Sequence, residues 1–414
     1  MKCLFLFHDA PLSYNFSGAA SRYLASFHAL SELGVELYVW RMVHENKQAN
    51  LAKFELNEPQ VTSGVRQAAN EWQDISYSSV VPRSRLHILW KSLTKPINLA
   101  FASFVCLKEP LIQTVHNIQP DFLWAEHAQS AALVTASEIP IPWIYSHHDW
   151  IYKVHKIRQS MRDAPYYFSQ RLLDSALRRA ERSTLRGATA VITGSKTEAS
   201  ELRQLGANNV QVIPTSYPRD LVEITKESTA NGLKIVHLGS LETTANYQGL
   251  MAYMEKAHPH INQFLNGAME LVIIGEADKA KPILLQKLQE QNASLTGHVC
   301  DLTSVLNPYD IAILPYEHDT GYRTKLPLLF QHAQTVVATE AAIAGMSSPG
   351  IENVCVIVKS IEEFPSAIKS LAIDKAMRKR LGQRAIQYYQ QHFTYDSVKD
   401  RYRRLLSKCN LKCE

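Results

Sequence analysis

Residues 310–346 read DIAILPYEHDTGYRTKLPLLFQHAQTVVATEAAIAGM. An apolar run at 310–314 leads into a polar turn with Gly321, Arg323 and Lys325. A helical stretch follows, then a second apolar run at 335–338 and a loop of small residues. Apolar runs without polar alternation fit strands buried on both faces, as in parallel sheets covered by helices. Strand, turn, helix and strand in this order make one unit of an α/β fold.

The same alternation extends outward in both directions. The first half offers candidate strands at 3–7, 36–40, 122–125, 143–145, 190–193 and 210–213, and the second at 234–238, 271–274, 310–314, 335–338 and 354–358. Helical patterns lie between them, as at 23–33, 248–256 and 283–291. A chain of 414 residues is too long for one ordinary core. The break falls at 214–232, PTSYPRDLVEITKESTANG, where two prolines and a polar stretch ending in Asn-Gly read as a linker. We therefore expect one domain over 1–215 and another over 216–392. Residues 367–406 are strongly helical.

Composition narrows the classes. Hydrophobic content of 46% and charged content of 20% are globular values. A net charge of +5, without zinc-finger spacing or a long Lys/Arg run, argues against a dedicated nucleic-acid binder. Cys3, Cys106, Cys300, Cys355, Cys409 and Cys413 are scattered, which suggests a reducing, cytoplasmic setting; Cys409 and Cys413 could bridge, but a lone C-x3-C is weak evidence for metal or redox chemistry. The opening MKCLFLFHDAP has too short an apolar run for a signal peptide, and no segment approaches a transmembrane length.

Three stretches carry a resemblance: KIVHLG (234–239), LVIIG (271–275) and LTGHVCDLTSVLNPYDIAILPY (295–316), followed by the opening stretch. Their order and spacing resemble the donor-binding half of GT-B glycosyltransferases of family 4. The resemblance implies two Rossmann-like, doubly wound parallel-sheet domains facing across a cleft, with a C-terminal helix at about 393–414 packing back on the first. It implies a nucleotide-sugar donor held by Gly239, Ser240, Asn246, Gly275, Glu317, Thr320, Gly321, Arg323, Lys325 and Leu328, with Gly18 contributing from the first half. Arg323 and Lys325 are the expected stabilisers of charge on a leaving diphosphate. The family usually has glutamates where this chain has Leu328 and Thr320. Many members have arginine and lysine where it has Ser240 and Asn246.

In the first half, HDAPLSYNFSGAASRYLASFHALSELGVELYVW (8–40) is similar to the family's glycine-bearing loop and helix. Gly18 and the N–H groups around Ala19 and Ala20 are expected to meet phosphate. Arg22 reads either as a contact to an anionic acceptor or as a solvated residue of the first turn. WIYSHHD (143–149) places two histidines at a strand end. His148, and after it His147, are the candidates for the family's histidine near the reacting sugar. Glu126 and His127 follow another strand, as candidate acceptor contacts or bases. No third ligand at recognisable spacing points to zinc.

Two further patterns bear on partners. Leu93, Ile97, Phe101, Phe104 and Val105 form one apolar helical face, which reads as a core helix or an interfacial one. Arg171, Arg178, Arg182 and Arg186 share another face, which reads as a solvated face or as a site for an anionic bilayer or lipid-diphosphate acceptor.

The resemblance implies a glycosyltransferase acting on a glycan or lipid-linked glycan, with a retaining outcome, no metal, no nucleic-acid partner, and a location in the cytoplasm or at the inner membrane face. Two alternatives remain open: a degenerate GT-B scaffold for an active transferase, favoured by Leu328, and a sugar-nucleotide epimerase of the same fold.

Overall fold

The computed structural model describes residues 1–12, 17–57, 59–80, 90–91, 93–160, 168–218, 232–278, 280–299, 301–319, 321–346 and 348–411. It divides into two compact units, one of 1–215 with 398–414 and the other of 216–397.

The first unit is built on strands β1 (Lys2–His8), β2 (Glu36–His44), β3 (Glu71–Tyr77), β4 (Phe122–Glu126), β5 (Trp143–His147), β6 (Ala190–Thr193) and β7 (Val210–Val212). All pair in parallel in the order β3-β2-β1-β4-β5-β6-β7. Successive side chains of β1 enter opposite cores. Cys3, Phe5 and Phe7 pack with the helix Gly18–Glu32, while Leu4 and Leu6 pack with the helix His127–Ser137. The period of two explains why such strands read as unbroken apolar runs. Val398, Tyr402, Leu405 and Leu406 of the final helix, Tyr395–Lys408, complete the first of these cores.

The second unit has strands β8 (Leu233–Leu238), β9 (Met269–Ile274), β10 (Ser294–Gly297), β11 (Ile311–Leu314), β12 (Thr335–Thr339) and β13 (Cys355–Val358). They too pair in parallel, in the order β10-β9-β8-β11-β12-β13. Each sheet therefore reverses its strand order at one place, between β1 and β4 and between β8 and β11. Open α/β sheets bind ligands at the carboxyl ends of strands flanking that reversal. The alternation of apolar runs and helices was thus a true guide to two doubly wound parallel sheets.

Several local readings need correction. Strand β3 was missed because EWQDISY is polar and only its last residue is buried. The first-half helix begins at Gly18, five residues before the expected 23, because Ser17 caps it. The apolar stripe 93–105 is not one helix but is broken among the described residues into short ones, Pro96–Ala100 and Ala102–Val105 among them. Phe101 and Phe104 are buried and Ile97 and Val105 pack against the same core, while Leu93 is exposed, so most of the stripe serves the core. The stretch 367–406 spans three helices, Phe364–Ile373, Lys375–His392 and Tyr395–Lys408. The linker reading at 214–232 falls mostly outside the described residues, as do Thr320, Cys300 and Cys413.

Candidate functional site

In the second unit, the carboxyl ends of β8, β9 and β11 supply the backbone of the candidate site. Gly239 and Gly275 follow β8 and β9 with φ of +140° and +147°. The Gly239 N–H donates to the Ile274 carbonyl at 2.7 Å. Added Cβ atoms show why both positions are bare. One on Gly275 would lie 2.4 Å from the Gly239 carbonyl oxygen, and one on Gly239 would lie 2.3 Å from Lys325 Nζ. The glycines thus let two loops and an ammonium crowd one spot.

Lys325 opens the helix Lys325–Gln331, and Arg323 stands in the turn before it. Their positions are set by Tyr316 and Asn246. Lys325 Nζ donates to Asn246 Oδ1 at 2.8 Å, and the Tyr316 hydroxyl donates to the same oxygen at 2.5 Å. Asn246 Nδ2 in turn donates to the Ser240 carbonyl at 2.7 Å. The Arg323 guanidinium carbon lies 4.0 Å from the Tyr316 ring centroid, and Lys325 Nζ lies 5.3 Å from it. Arg323 Nη2 also donates to the His318 carbonyl at 3.0 Å. Burial holds the Lys325 ammonium below its ordinary pKa. Two cations gathered at a sheet's switch point, beside glycine loops, are suited to an anionic ligand.

The remaining donor-side candidates are placed differently. Ser240 Oγ accepts from the Glu242 N–H at 3.2 Å and its carbonyl serves Asn246. Gly321, with φ of +96°, has its N–H bonded to Asp319 Oδ1 at 3.1 Å. Glu317 is engaged on the surface with Lys256 at 3.5 Å. Leu328 is 7% exposed, an apolar side chain within the second unit. Tyr316 was not singled out from the sequence; an aromatic residue after Pro315 at a strand end is the one local sign of it.

In the first unit, His8, Glu126 and His127, and His147 and His148 lie at or just past the carboxyl ends of β1, β4 and β5. His127, with φ of +71°, starts the helix His127–Ser137. The ring of His127 lies 5.3 Å from that of His8 and 5.1 Å from that of His148, and Tyr23 lies 5.2 Å from His148. Burial pushes His8 down to about 3 and His127 to about 4, and it pushes His148 well below the imidazole range. All three rings are therefore neutral near pH 7.

Glu126 is wholly buried, so it is not an open edge residue as its place after β4 suggested. Its carboxylate accepts from Trp124 Nε1 at 2.7 Å and lies 2.7 Å from His148 Nε2. Burial raises its pKa and the nearby Arg22 opposes that rise. The contact joins the Glu126 carboxyl to His148 Nε2 through one proton, and the His148 tautomer sets which of the two donates. His147 faces inward instead: it is wholly buried, 3.6 Å from Glu198 and packed on Trp150.

Arg22 is not a solvated first-turn residue, since it is only 4% exposed. Its Nε donates to Ser146 Oγ at 3.2 Å and its Nη1 to the Ile213 carbonyl at 3.4 Å. Gly18 is half-buried at the helix start, and the Ala20 N–H expected to meet phosphate donates to Ser17 Oγ at 3.1 Å. Among the described residues no group of His, Cys, Asp and Glu is arranged to hold a metal ion, and no helix is long and apolar enough to cross a membrane.

Comparison with known proteins gives the following. The family model "Glycosyl transferase 4-like domain" matches residues 17–216, and "Glycosyl transferases group 1" matches 232–374. Similar solved structures include sucrose-phosphate synthase from Thermosynechococcus elongatus, with a TM-score of 0.69 at 14% identity, covering 98% of this chain and 99% of that one. Anabaena HepE in complex with UDP and glucose gives a TM-score of 0.65 at 14% identity, over 98% and 99% of the two chains. A TarM variant from S. aureus, in complex with Fondaparinux, alpha-GlcNAc-glycerol and UDP, gives 0.62 at 9% identity, again over 98% and 99%. No curated protein sequence matches this chain.

Proposed function

This chain is a GT-B glycosyltransferase of the family 4 kind, and from that premise we propose that it moves a sugar from a nucleotide-sugar donor to a hydroxyl of a glycan or lipid-linked glycan. The observation that carries the proposal is the gathering of Arg323 and Lys325 over Tyr316 beside Gly239, at the switch point of the second sheet. In the proposed reaction the bond between the sugar's anomeric carbon and the donor diphosphate breaks, and the acceptor oxygen bonds to that carbon. The diphosphate leaves with growing negative charge, which the guanidinium and ammonium stabilise more strongly than they do the intact donor. No metal enters this scheme. The first unit takes the acceptor, with His148 Nδ1 as a contact to a sugar hydroxyl. Retention of configuration follows from the family resemblance, the leaving diphosphate then receiving the acceptor's proton.

The test is a calorimetric and thermal-shift screen of the purified protein against UDP, GDP, dTDP, ADP, CMP and their sugars. The proposal expects saturable binding of one nucleotide, abolished by Arg323→Ala with Lys325→Ala. Proton NMR of the first product then reads the anomeric configuration.

A second reading is a scaffold that has lost donor chemistry. It is favoured by the buried apolar Leu328, where family members usually carry glutamate, and by the engagement of Glu317 with Lys256. A folded protein that binds none of these nucleotides would establish it over the transferase.

A further inference from the structure

We infer that Asn246 is the positioning residue of Lys325: its side-chain amide fixes the ammonium beside the Gly239 turn and acts on a donor diphosphate only through it. The inference rests on the transferase reading and gives one residue of its donor site a role distinct from ligand contact.

Asn246 lies in the first turn of the helix Thr244–Lys256, on the same face as the core residues Leu250 and Tyr253. An inward-facing amide in that place must find partners or cost stability. It finds three, on three different segments. Nδ2 donates to the Ser240 carbonyl, in the turn after β8, at 2.7 Å. Oδ1 accepts from the Tyr316 hydroxyl, just past β11, at 2.5 Å. The same oxygen accepts from Lys325 Nζ, at the start of the helix Lys325–Gln331, at 2.8 Å.

The amide can sit only one way round. A carbonyl only accepts and an ammonium only donates, so Ser240 and Lys325 fix which end is nitrogen. Two donors fill the lone pairs of Oδ1. The helix that carries the amide is pinned as well, since a Cβ on Gly249 would come 2.2 Å from the Pro315 carbonyl oxygen. Lysine is a point charge on a flexible stem, and tethering its end removes that freedom before a ligand arrives. Burial lowers the pKa of Lys325, and a bond accepted from the charged form opposes that fall.

The experiment measures affinity for UDP, uridine and inorganic pyrophosphate in the full chain. Where the nucleotide screen selects another base, its nucleoside diphosphate and nucleoside replace UDP and uridine. The variants are Asn246→Leu, Asn246→Asp, Lys325→Ala and the double variant Asn246→Leu with Lys325→Ala. Asn246→Leu should weaken UDP and pyrophosphate by about tenfold, with uridine unchanged. In the Lys325→Ala background the same change should have no further effect, because the residue acts through the lysine.

A pH profile adds a readout that a packing role would not move. Tyr316, Arg323 and the buried His237 of β8 also face Lys325 and are the same in every variant. Asn246→Leu removes an acceptor of the ammonium, so the alkaline loss of UDP affinity should move to lower pH. Asn246→Asp keeps an acceptor and adds a charge, so that loss should move to higher pH.

Full additivity of Asn246→Leu and Lys325→Ala would overturn the inference, because Asn246 would then meet the phosphates itself. Equal UDP affinity in wild type and a folded Asn246→Leu would overturn it too, and so would an alkaline edge that stays in place in both single variants at position 246. Each of these leaves the transferase reading standing. A wild type that binds neither pyrophosphate nor any nucleotide of the screen would overturn both.

Discussion

Glu126 Oε2 lies 2.7 Å from His148 Nε2, and the carboxylate is wholly buried. The pair fixes the orientation of the His148 ring through Nε2. Glu126→Gln is expected to lower kcat by roughly 10- to 100-fold, because an amide accepts the same proton less strongly and can turn to donate instead. Donor affinity should stay within about twofold, since the proposed diphosphate contacts Arg323 and Lys325 belong to the other unit. Steady-state kinetics with calorimetry separates the two. A parallel loss of donor binding would contradict this role.

Removing either cation should act on donor affinity. Charge-assisted bonds to phosphate are worth about 1.5–3 kcal/mol. Arg323→Ala and Lys325→Ala should therefore each raise the Kd of the bound nucleoside diphosphate by roughly 10- to 100-fold, and the nucleoside Kd hardly at all. Titration calorimetry at constant ionic strength checks this.

The two glycines should differ in what they disturb. A Cβ on Gly275 meets backbone, the Gly239 carbonyl at 2.4 Å, which cannot move aside cheaply. Gly275→Ala should cost about 2–4 kcal/mol of stability. A Cβ on Gly239 meets the end of a flexible lysine first, at 2.3 Å. Gly239→Ala should therefore lose less stability and more nucleotide affinity. Urea unfolding beside calorimetry gives both values.

Stability should fall in mild acid. Burial keeps His8 at about 3 and His127, His258 and His332 at about 4, while an unfolded chain protonates them near 6.5. Below that value the unfolded state takes up protons that the folded state refuses, so stability drops as pH falls from about 6.5 towards 4. Glu181, raised to about 7 by burial, and Asp310, raised to about 6, act in the opposite sense. Their stabilisation is present at low pH and is lost as pH rises through those values. The histidines outnumber them, so urea midpoints should decrease from pH 7 to pH 5. Midpoints that rise over this interval would refute the assignment of neutral imidazoles.

Arg171, Arg178, Arg182 and Arg186 are exposed on the helix Phe168–Gly187, and a solvated face and a surface for anionic lipid are the two expectations to separate. Each basic residue near such a bilayer contributes about 1 kcal/mol. Phosphatidylglycerol vesicles at low salt should therefore sediment the wild type, and Arg178→Glu with Arg182→Glu and Arg186→Glu should abolish this. A wild type that ignores the vesicles would identify a solvated face.

Local chemistry made much of this protein legible before folding. Unbroken apolar runs such as IAIL at 311–314 and TVVAT at 335–339 announce strands covered on both sides, because parallel strands bury both faces. Strand β3 escaped since an edge strand needs no such run. Gly239 and Gly275 are readable as glycines at strand ends, and Arg323 with Lys325 as a basic turn.

What surrounds them was decided only by tertiary structure. Asn246 meets Tyr316 and Lys325 from 70 and 79 residues away. Glu126 reaches His148 because β4 and β5 are neighbours in the sheet. Arg22 looks like a solvated helix residue until Ser146 and Ile213 close over it. Sequence by itself determines which segments must be buried, because burial follows from side-chain chemistry and its period. Which buried groups meet, and so which proton sits on which nitrogen, depends on strand order, and that order is settled only when helices and sheet pack together.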